Sequence, residues 1–260
     1  MTTIQPVTFL DLALYYFVPD NVKRLIPHRV AVILVGIVFG LLLAHVWGYF
    51  HLRSNSTWAK LLDVNHEKNF ATAFSVALLL RCSALLGLIA RQHQENGKVK
   101  PKLACKQSRL QPRFLAYWWA LCFVFLGMAA DELIQIHERV NVFLDDQVQL
   151  QTSGIFYYDW VILGLVFVSA IALIYARFLK HLQPKTRHQF LLAGSIYIAG
   201  ALGMEMISGY YIDIHGLTNR GMLAILNGIE EAGEMIGLIV FIRALLIYLQ
   251  SLSLHMGTSD

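Results

Sequence analysis

The sequence has few charged residues and lacks the short motifs of the common enzyme families. Charged residues make up 15% of the chain, whereas a typical soluble protein has about 25%. There is no P-loop, dinucleotide fingerprint, G-x-S-x-G elbow or H-E-x-x-H zinc motif. The three cysteines, Cys82, Cys105 and Cys122, form no C-x-x-C pair, so the sequence predicts neither a disulfide framework nor a zinc ribbon. It also assigns no catalytic residue.

What the sequence has in excess is apolar residues, at 57% of the chain with a mean hydropathy of +0.54. A bilayer core about 30 Å thick needs about 20 apolar residues in a helix. Six stretches are long enough, at about 30–50, 69–91, 114–136, 156–178, 189–211 and 222–249. We therefore predict an all-α, polytopic membrane bundle. Its six-helix transmembrane domain is residues 30–249, between a cytoplasmic segment 1–29 and a cytoplasmic tail 250–260.

The distribution of Lys and Arg predicts the orientation of the bundle. Seven of them lie between residues 91 and 113 and four between 177 and 187, and such residues accumulate in cytoplasmic loops. Both termini are therefore predicted to be cytoplasmic, in the plasma (inner) membrane. The apolar stretch 7–18 lacks the basic leader of a signal peptide, so we expect an amphipathic helix at the membrane surface. The net charge of +4 is explained by these clusters, and the predicted partner is the lipid bilayer, not nucleic acid.

Acidic residues recur at one depth in four of the predicted spans, the fourth span contributing Asp159 near its outer start. At a rise of about 1.5 Å per residue, they fall in one layer of the outer half of the bilayer. Helical phase gives the third and the sixth span an acidic face each, which a membrane tolerates only toward the bundle interior or a water-filled cavity. The predicted site residues of this layer are Asp131 and Glu132 in the third span, Glu205 in the fifth, and Glu230, Glu231 and Glu234 in the sixth.

Further polar residues are predicted at the rim of this layer. His137, Glu138, Asp159 and His215 are candidate rim ligands, and Arg81 in the second span is a candidate charge partner. Carboxylates suit Mg²⁺, Ca²⁺ or Mn²⁺, and mixed imidazole and carboxylate sets suit iron or zinc, so a divalent metal ion is the candidate cofactor. Against a metal, no Glu-x-x-His occurs on these helices, and an ideal helix would hold Glu132 and His137 about 140° apart.

Three classes of function remain open. The preferred one is the binding or translocation of a cation, either a proton or a divalent metal, by the intramembrane carboxylates. The second is a metal-dependent membrane enzyme with a carboxylate and histidine site. The third is a non-catalytic assembly factor or complex subunit, whose polar faces would be covered by other membrane subunits or by a second copy of the chain.

Overall fold

A computed structural model describes residues 27–51, 56–62, 69–98, 111–144 and 152–257, and within these ranges every regular element is helical. The α-helices are α1 (Pro27–His51), α2 (Thr57–Leu62), α3 (Phe70–Lys98), α4 (Gln111–Ile134), α5 (Ile136–Phe143), α6 (Trp160–His181), α7 (Pro184–Ile198), α8 (Glu205–His215) and α9 (Arg220–Gly257). A π-helical segment, Ala199–Met204, joins α7 to α8, and 3₁₀ turns cover Gly154–Phe156 and Gly216–Thr218.

Six helical segments are long and apolar enough to cross a membrane, which confirms the predicted multi-pass, all-α architecture. They are Pro27–Tyr49, Phe70–Glu95, Phe114–Ile134, Trp160–His181, Pro184–Thr218 and Arg220–Leu252. The fifth segment contains α7, the π-helical segment and α8 in succession. The predicted amphipathic helix at 7–18 lies outside the described residues.

Helices α3 and α9 form the centre of the bundle. More than half of the most hydrophobic stretch of each is buried, compared with less than a quarter in the other four spans. The peripheral helices instead expose large apolar side chains such as Phe39 and Val166, each 63% exposed, as expected of surfaces that face lipid. The core consists of aliphatic side chains that are almost completely buried: Leu79, Leu85, Leu86 and Ile89 from α3, and Met235, Leu238, Ile239, Ile242, Leu245, Leu246 and Leu249 from α9.

Helix α4 packs between α3 and α6. The Ser83 hydroxyl of α3 donates a hydrogen bond to the Cys122 carbonyl of α4 at 2.9 Å. On the opposite side of α4, the Tyr175 hydroxyl of α6 donates to the Tyr117 carbonyl, also at 2.9 Å. The third span is thereby held to α3, and the fourth span is held to the third.

Two glycines allow the fifth span to approach α9 more closely than side chains would permit. A Cβ atom at Gly237 would lie 2.7 Å from the Tyr197 backbone nitrogen, and a Cβ atom at Gly200 would lie 2.7 Å from the Glu234 nitrogen. Only the absence of a side chain allows such backbone contacts, as in other close helix pairs in membranes. The Gly200 contact fixes the π-helical segment against the acidic stretch of α9.

Candidate functional site

A sharp break in the helix interrupts the sequence DELIQIHE at residues 131–138. Gln135 has a φ angle of +52°, so α4 ends at Ile134 and α5 begins at Ile136. Asp131 holds the break in place: one carboxylate oxygen accepts a hydrogen bond from the His137 backbone nitrogen, and the other accepts one from His137 Nδ1, both at 2.9 Å. The prediction that the third span continues to residue 136 was therefore wrong at its end.

This break changes the relative orientation of Glu132 and His137. On a continuous helix the two side chains would diverge by about 140°. Because the chain turns at Gln135, both line the same cavity, together with Glu138 of α5. The His137 ring also packs against the Trp160 ring at the start of α6, with ring centroids 5.1 Å apart.

The fifth span contributes Glu205 and Ser208 to the cavity. Glu205 is the first residue of α8 and follows the π-helical segment directly. Such π-helical turns are frequent at functional sites, because they reorient the side chains that follow. Ser208 lies about one turn further along the same face. Its side chain is only 3% exposed, and its hydroxyl has no hydrogen-bond partner among the described residues.

Helix α9 supplies the deepest part of the site. Asn227, Glu230, Glu231 and Glu234 all line the cavity and span about 10 Å along the helix axis. Glu234 forms a side-chain hydrogen bond with Tyr197 of α7. The Oε2 atom of Glu231 is buried and has no hydrogen-bond partner in the part of the chain that the structure describes, which is unusual because buried polar atoms are nearly always hydrogen-bonded.

These residues enclose a cavity of about 460 Å³. Its carboxylates are six glutamates: Glu132, Glu138, Glu205, Glu230, Glu231 and Glu234. The other lining residues are Thr72, Gln135, His137, Asn141, Val142, Tyr158, Trp160, Ser208 and Asn227. Seven of the residues predicted for the layer and its rim thus meet around one cavity.

The cavity is strongly acidic. Of the described residues, six carboxylates and one imidazole line it, and no Lys or Arg does. Like charges confined in a low-dielectric interior oppose one another's ionisation, and an isolated charge there is costly. Ionisation of all the buried carboxylates of this lining at once is therefore energetically costly.

The negative charge of the cavity changes the pKa values of two lining residues outside the membrane-spanning segments. Burial alone would lower the pKa of His137, but its hydrogen bond to Asp131 and the charges of Asp131, Glu138 and Glu205 raise it above its usual range. Burial also raises the pKa of Tyr158, and the neighbouring Glu205 adds to that effect. The acidic surroundings thus favour a protonated imidazolium and a neutral phenol.

Four of the predicted residues lie outside the cavity lining. Asp131 uses both carboxylate oxygens on His137, as described above, so it orients a lining residue. Asp159 is 1% exposed, and its carboxylate accepts a hydrogen bond from the Thr152 hydroxyl. His215 is exposed, with its Nδ1 atom 3.2 Å from the Tyr211 carbonyl.

Arg81 is the fourth of these residues. It lies on α3 outside the cavity lining, and no ion pair joins it to a carboxylate within the part of the chain that the structure describes. The interpretation of Arg81 as the charge partner of the acidic layer is therefore not supported by a contact. Within the described ranges, His137 is the one side chain of the cavity lining that can carry a positive charge.

The glutamates surround the cavity without meeting at one point. Among the described residues, no three His, Cys, Asp or Glu side chains are arranged to hold a metal ion. A preformed centre with protein ligands on a bare metal is thus not present in this conformation. The donors are spread over the walls of a space much larger than one ion.

Several lining residues were not predicted from the sequence. Ser208 lies three residues after Glu205, so helical spacing could have identified it. Thr72 has no such signal. It enters the site because Asn69 accepts a hydrogen bond from the Thr72 backbone nitrogen at 2.8 Å and thereby caps α3 at the cavity.

Comparison with known proteins gives a family but no activity. A family model described as "Domain of unknown function (DUF8692)" matches residues 28–249, which include every residue of the cavity. No curated protein and no solved structure matches the chain.

Proposed function

The chain belongs to the DUF8692 family, and from its cavity we propose that this membrane protein binds a cation in the outer half of the bilayer, in exchange for protons. One observation carries the proposal: among the residues that the structure describes, six glutamates and a single imidazole line one cavity, and no lysine or arginine does. Intramembrane carboxylates that face a cavity are characteristic of ion and substrate pathways.

The exchange for protons follows from the charge of the cavity. Without a cation, some of the six glutamates must carry protons, because several negative charges cannot share a low-dielectric space. An entering cation compensates those charges and allows the protons to leave. Cation affinity is therefore expected to increase with pH.

The cavity is accessible from one end of the bundle. Glu138, at its mouth, is exposed, whereas the residues of α9 that follow Glu234 belong to the apolar core. Met235, Leu238 and Ile239 are at most 2% exposed, so the packing of α3 on α9 closes the path to the opposite side. A bound cation would therefore enter and leave from the Glu138 end, and translocation would require α3 and α9 to separate.

The proposal is tested by equilibrium binding to detergent-purified protein. The panel of cations contains Mg²⁺, Mn²⁺, Ca²⁺ and 1,4-diaminobutane, and the test protein is the double variant Glu230→Gln, Glu231→Gln. A charge-assisted contact is worth about 1.5–3 kcal/mol, so each lost carboxylate should weaken binding about ten-fold or more. Glu95→Gln is the matched control, because Glu95 is exposed and does not line the cavity.

The outcomes separate the classes of function. If no member of the panel binds, or if the double variant binds as tightly as the wild type, the proposal is wrong. A stoichiometric metal found by elemental analysis of the purified protein would instead favour a resident metal centre, as a metal-dependent membrane enzyme requires.

A further inference from the structure

We infer that the cation is organic: a linear alkylamine that carries two or more protonated amino groups. This inference rests on the proposed function and specifies the substrate class of the same cavity. It is based on the size of the cavity, the spread of its carboxylates, its aromatic wall and two buried polar atoms without partners.

The size of the cavity is that of a small-molecule site. Its volume is about 460 Å³, whereas the share of one water molecule in the liquid is about 30 Å³. Pockets for small organic ligands have volumes of about 300–1,000 Å³. A single metal ion would leave most of this space to water.

The carboxylates are distributed along the cavity in a way that suits a ligand with several separated positive charges. No three acidic or histidine side chains of the described residues converge on one point, although six glutamates line the space. On α9 alone the polar face from Asn227 to Glu234 extends over about 10 Å. A ligand with ammonium groups at both ends of an alkyl chain can contact carboxylates at both ends of such a face, whereas a point charge cannot.

Part of the cavity lining is aromatic. Trp160 and Tyr158 line the cavity, and Trp160 packs beside His137 at a centroid distance of 5.1 Å. Aromatic faces attract ammonium groups, and tryptophan does so most strongly. The rings and Val142 also offer apolar surface to the methylene groups between the charges, which a hydrated metal ion cannot use.

Within the described residues, two buried oxygen atoms lack a hydrogen-bond donor, which an ammonium group would provide. They are the Ser208 hydroxyl, on a side chain that is 3% exposed, and the Oε2 atom of Glu231. Both residues line the cavity. An ammonium group has three N–H donors and no acceptor, so the ammonium groups of a bound amine can supply the donors that these two atoms lack.

The test is isothermal titration of the detergent-purified full chain with n-butylamine, 1,4-diaminobutane, spermidine, Mg²⁺ and Mn²⁺. The inference predicts that the diamine and the triamine bind more tightly than the monoamine and both metals. Trp160→Leu should weaken diamine binding about three- to thirty-fold. Trp58→Leu is the control, because Trp58 is 65% exposed and does not line the cavity.

Ser208→Ala keeps the test decisive if the Trp160 variant does not fold. It removes one small buried acceptor and should weaken diamine binding several-fold. If metals bind and amines do not, the inference is wrong while cation binding stands. If neither binds, the proposed function fails as well. Amine binding that is unchanged in the Ser208 and Trp160 variants would place the amine elsewhere and overturn the inference.

Discussion

Gly200 is the position at which a single methyl group should test the geometry of the site. A Cβ atom there would lie 2.7 Å from the Glu234 nitrogen, 2.9 Å from the Gly233 carbonyl carbon and 3.1 Å from the Glu230 carbonyl oxygen. All three are backbone atoms, so no side-chain rotation can relieve the contact. Gly200→Ala must therefore push the π-helical segment away from the acidic stretch of α9.

The expected cost follows from the overpacking of well-packed interiors. Such substitutions destabilise proteins by about 1–3 kcal/mol, so Gly200→Ala should lower the free energy of unfolding by that amount. It should also weaken cation binding, because the displaced backbone carries Glu230 and Glu234. Both quantities can be measured on detergent-purified protein, by reversible denaturation and by calorimetric titration.

Gly194→Ala is the matched control on α7. A Cβ atom at Gly194 would meet nothing within 4 Å, and alanine is favoured over glycine inside a helix by about 0.5–1 kcal/mol. This variant should be as stable as the wild type or more so, with unchanged cation affinity. If Gly200→Ala is as stable as Gly194→Ala and binds cations equally well, the packing of the fifth span on α9 is not as described.

Two further predictions concern the mouth of the cavity. The pKa of His137 is raised by Asp131, so the stability that this pair contributes is fully present below about pH 6.5 and is lost as the pH rises through the raised pKa. Asp131→Asn keeps an oxygen acceptor for the backbone but removes the charge. Its destabilisation, measured by denaturation from pH 5 to 9, should shrink as the pH rises, and a pH-independent difference would contradict the role of the pair. In a chain without its native cysteines, Glu138→Cys should react with a membrane-impermeant maleimide from outside intact cells and Glu95→Cys should not. The reverse pattern would overturn the predicted orientation.

Much of the fold follows from the sequence because hydrophobic length and helical rise are local quantities. Six apolar runs of sufficient length predict six spans, and counting residues along them places Glu132, Glu205 and Glu230 at a common depth. Ordinary helix geometry also predicts that Glu230, Glu231 and Glu234 share one face. The structure brings these residues together around one cavity.

The break at Gln135 could not be predicted in the same way. No glycine or proline interrupts DELIQIHE, and glutamine rarely adopts a positive φ angle. The conformation is held by the side chain of Asp131, whose two oxygens bind His137. This interaction exists only after the chain has turned, so a sequence pattern based on a continuous helix misses it.

Asp159 and Arg81 show that depth in the membrane can be predicted from the sequence while the direction of a side chain cannot. Both have depths compatible with the acidic layer, but depth does not determine which way a side chain points. Asp159 accepts a hydrogen bond from Thr152 on its own loop, and Arg81 lies outside the cavity lining. Only tertiary packing distinguishes a residue that lines the cavity from one at the same height elsewhere.

The most direct test of the central claim is the number of protons released when a cation binds. Titration calorimetry in two buffers of different ionisation enthalpy gives this number for the wild type and for the Glu230→Gln, Glu231→Gln variant. We predict that the wild type releases protons on binding, with an affinity that increases with pH, and that the variant binds weakly and releases fewer. Tight cation binding without proton release, equal in both proteins, would contradict the account of an acidic cavity that exchanges protons for a cation.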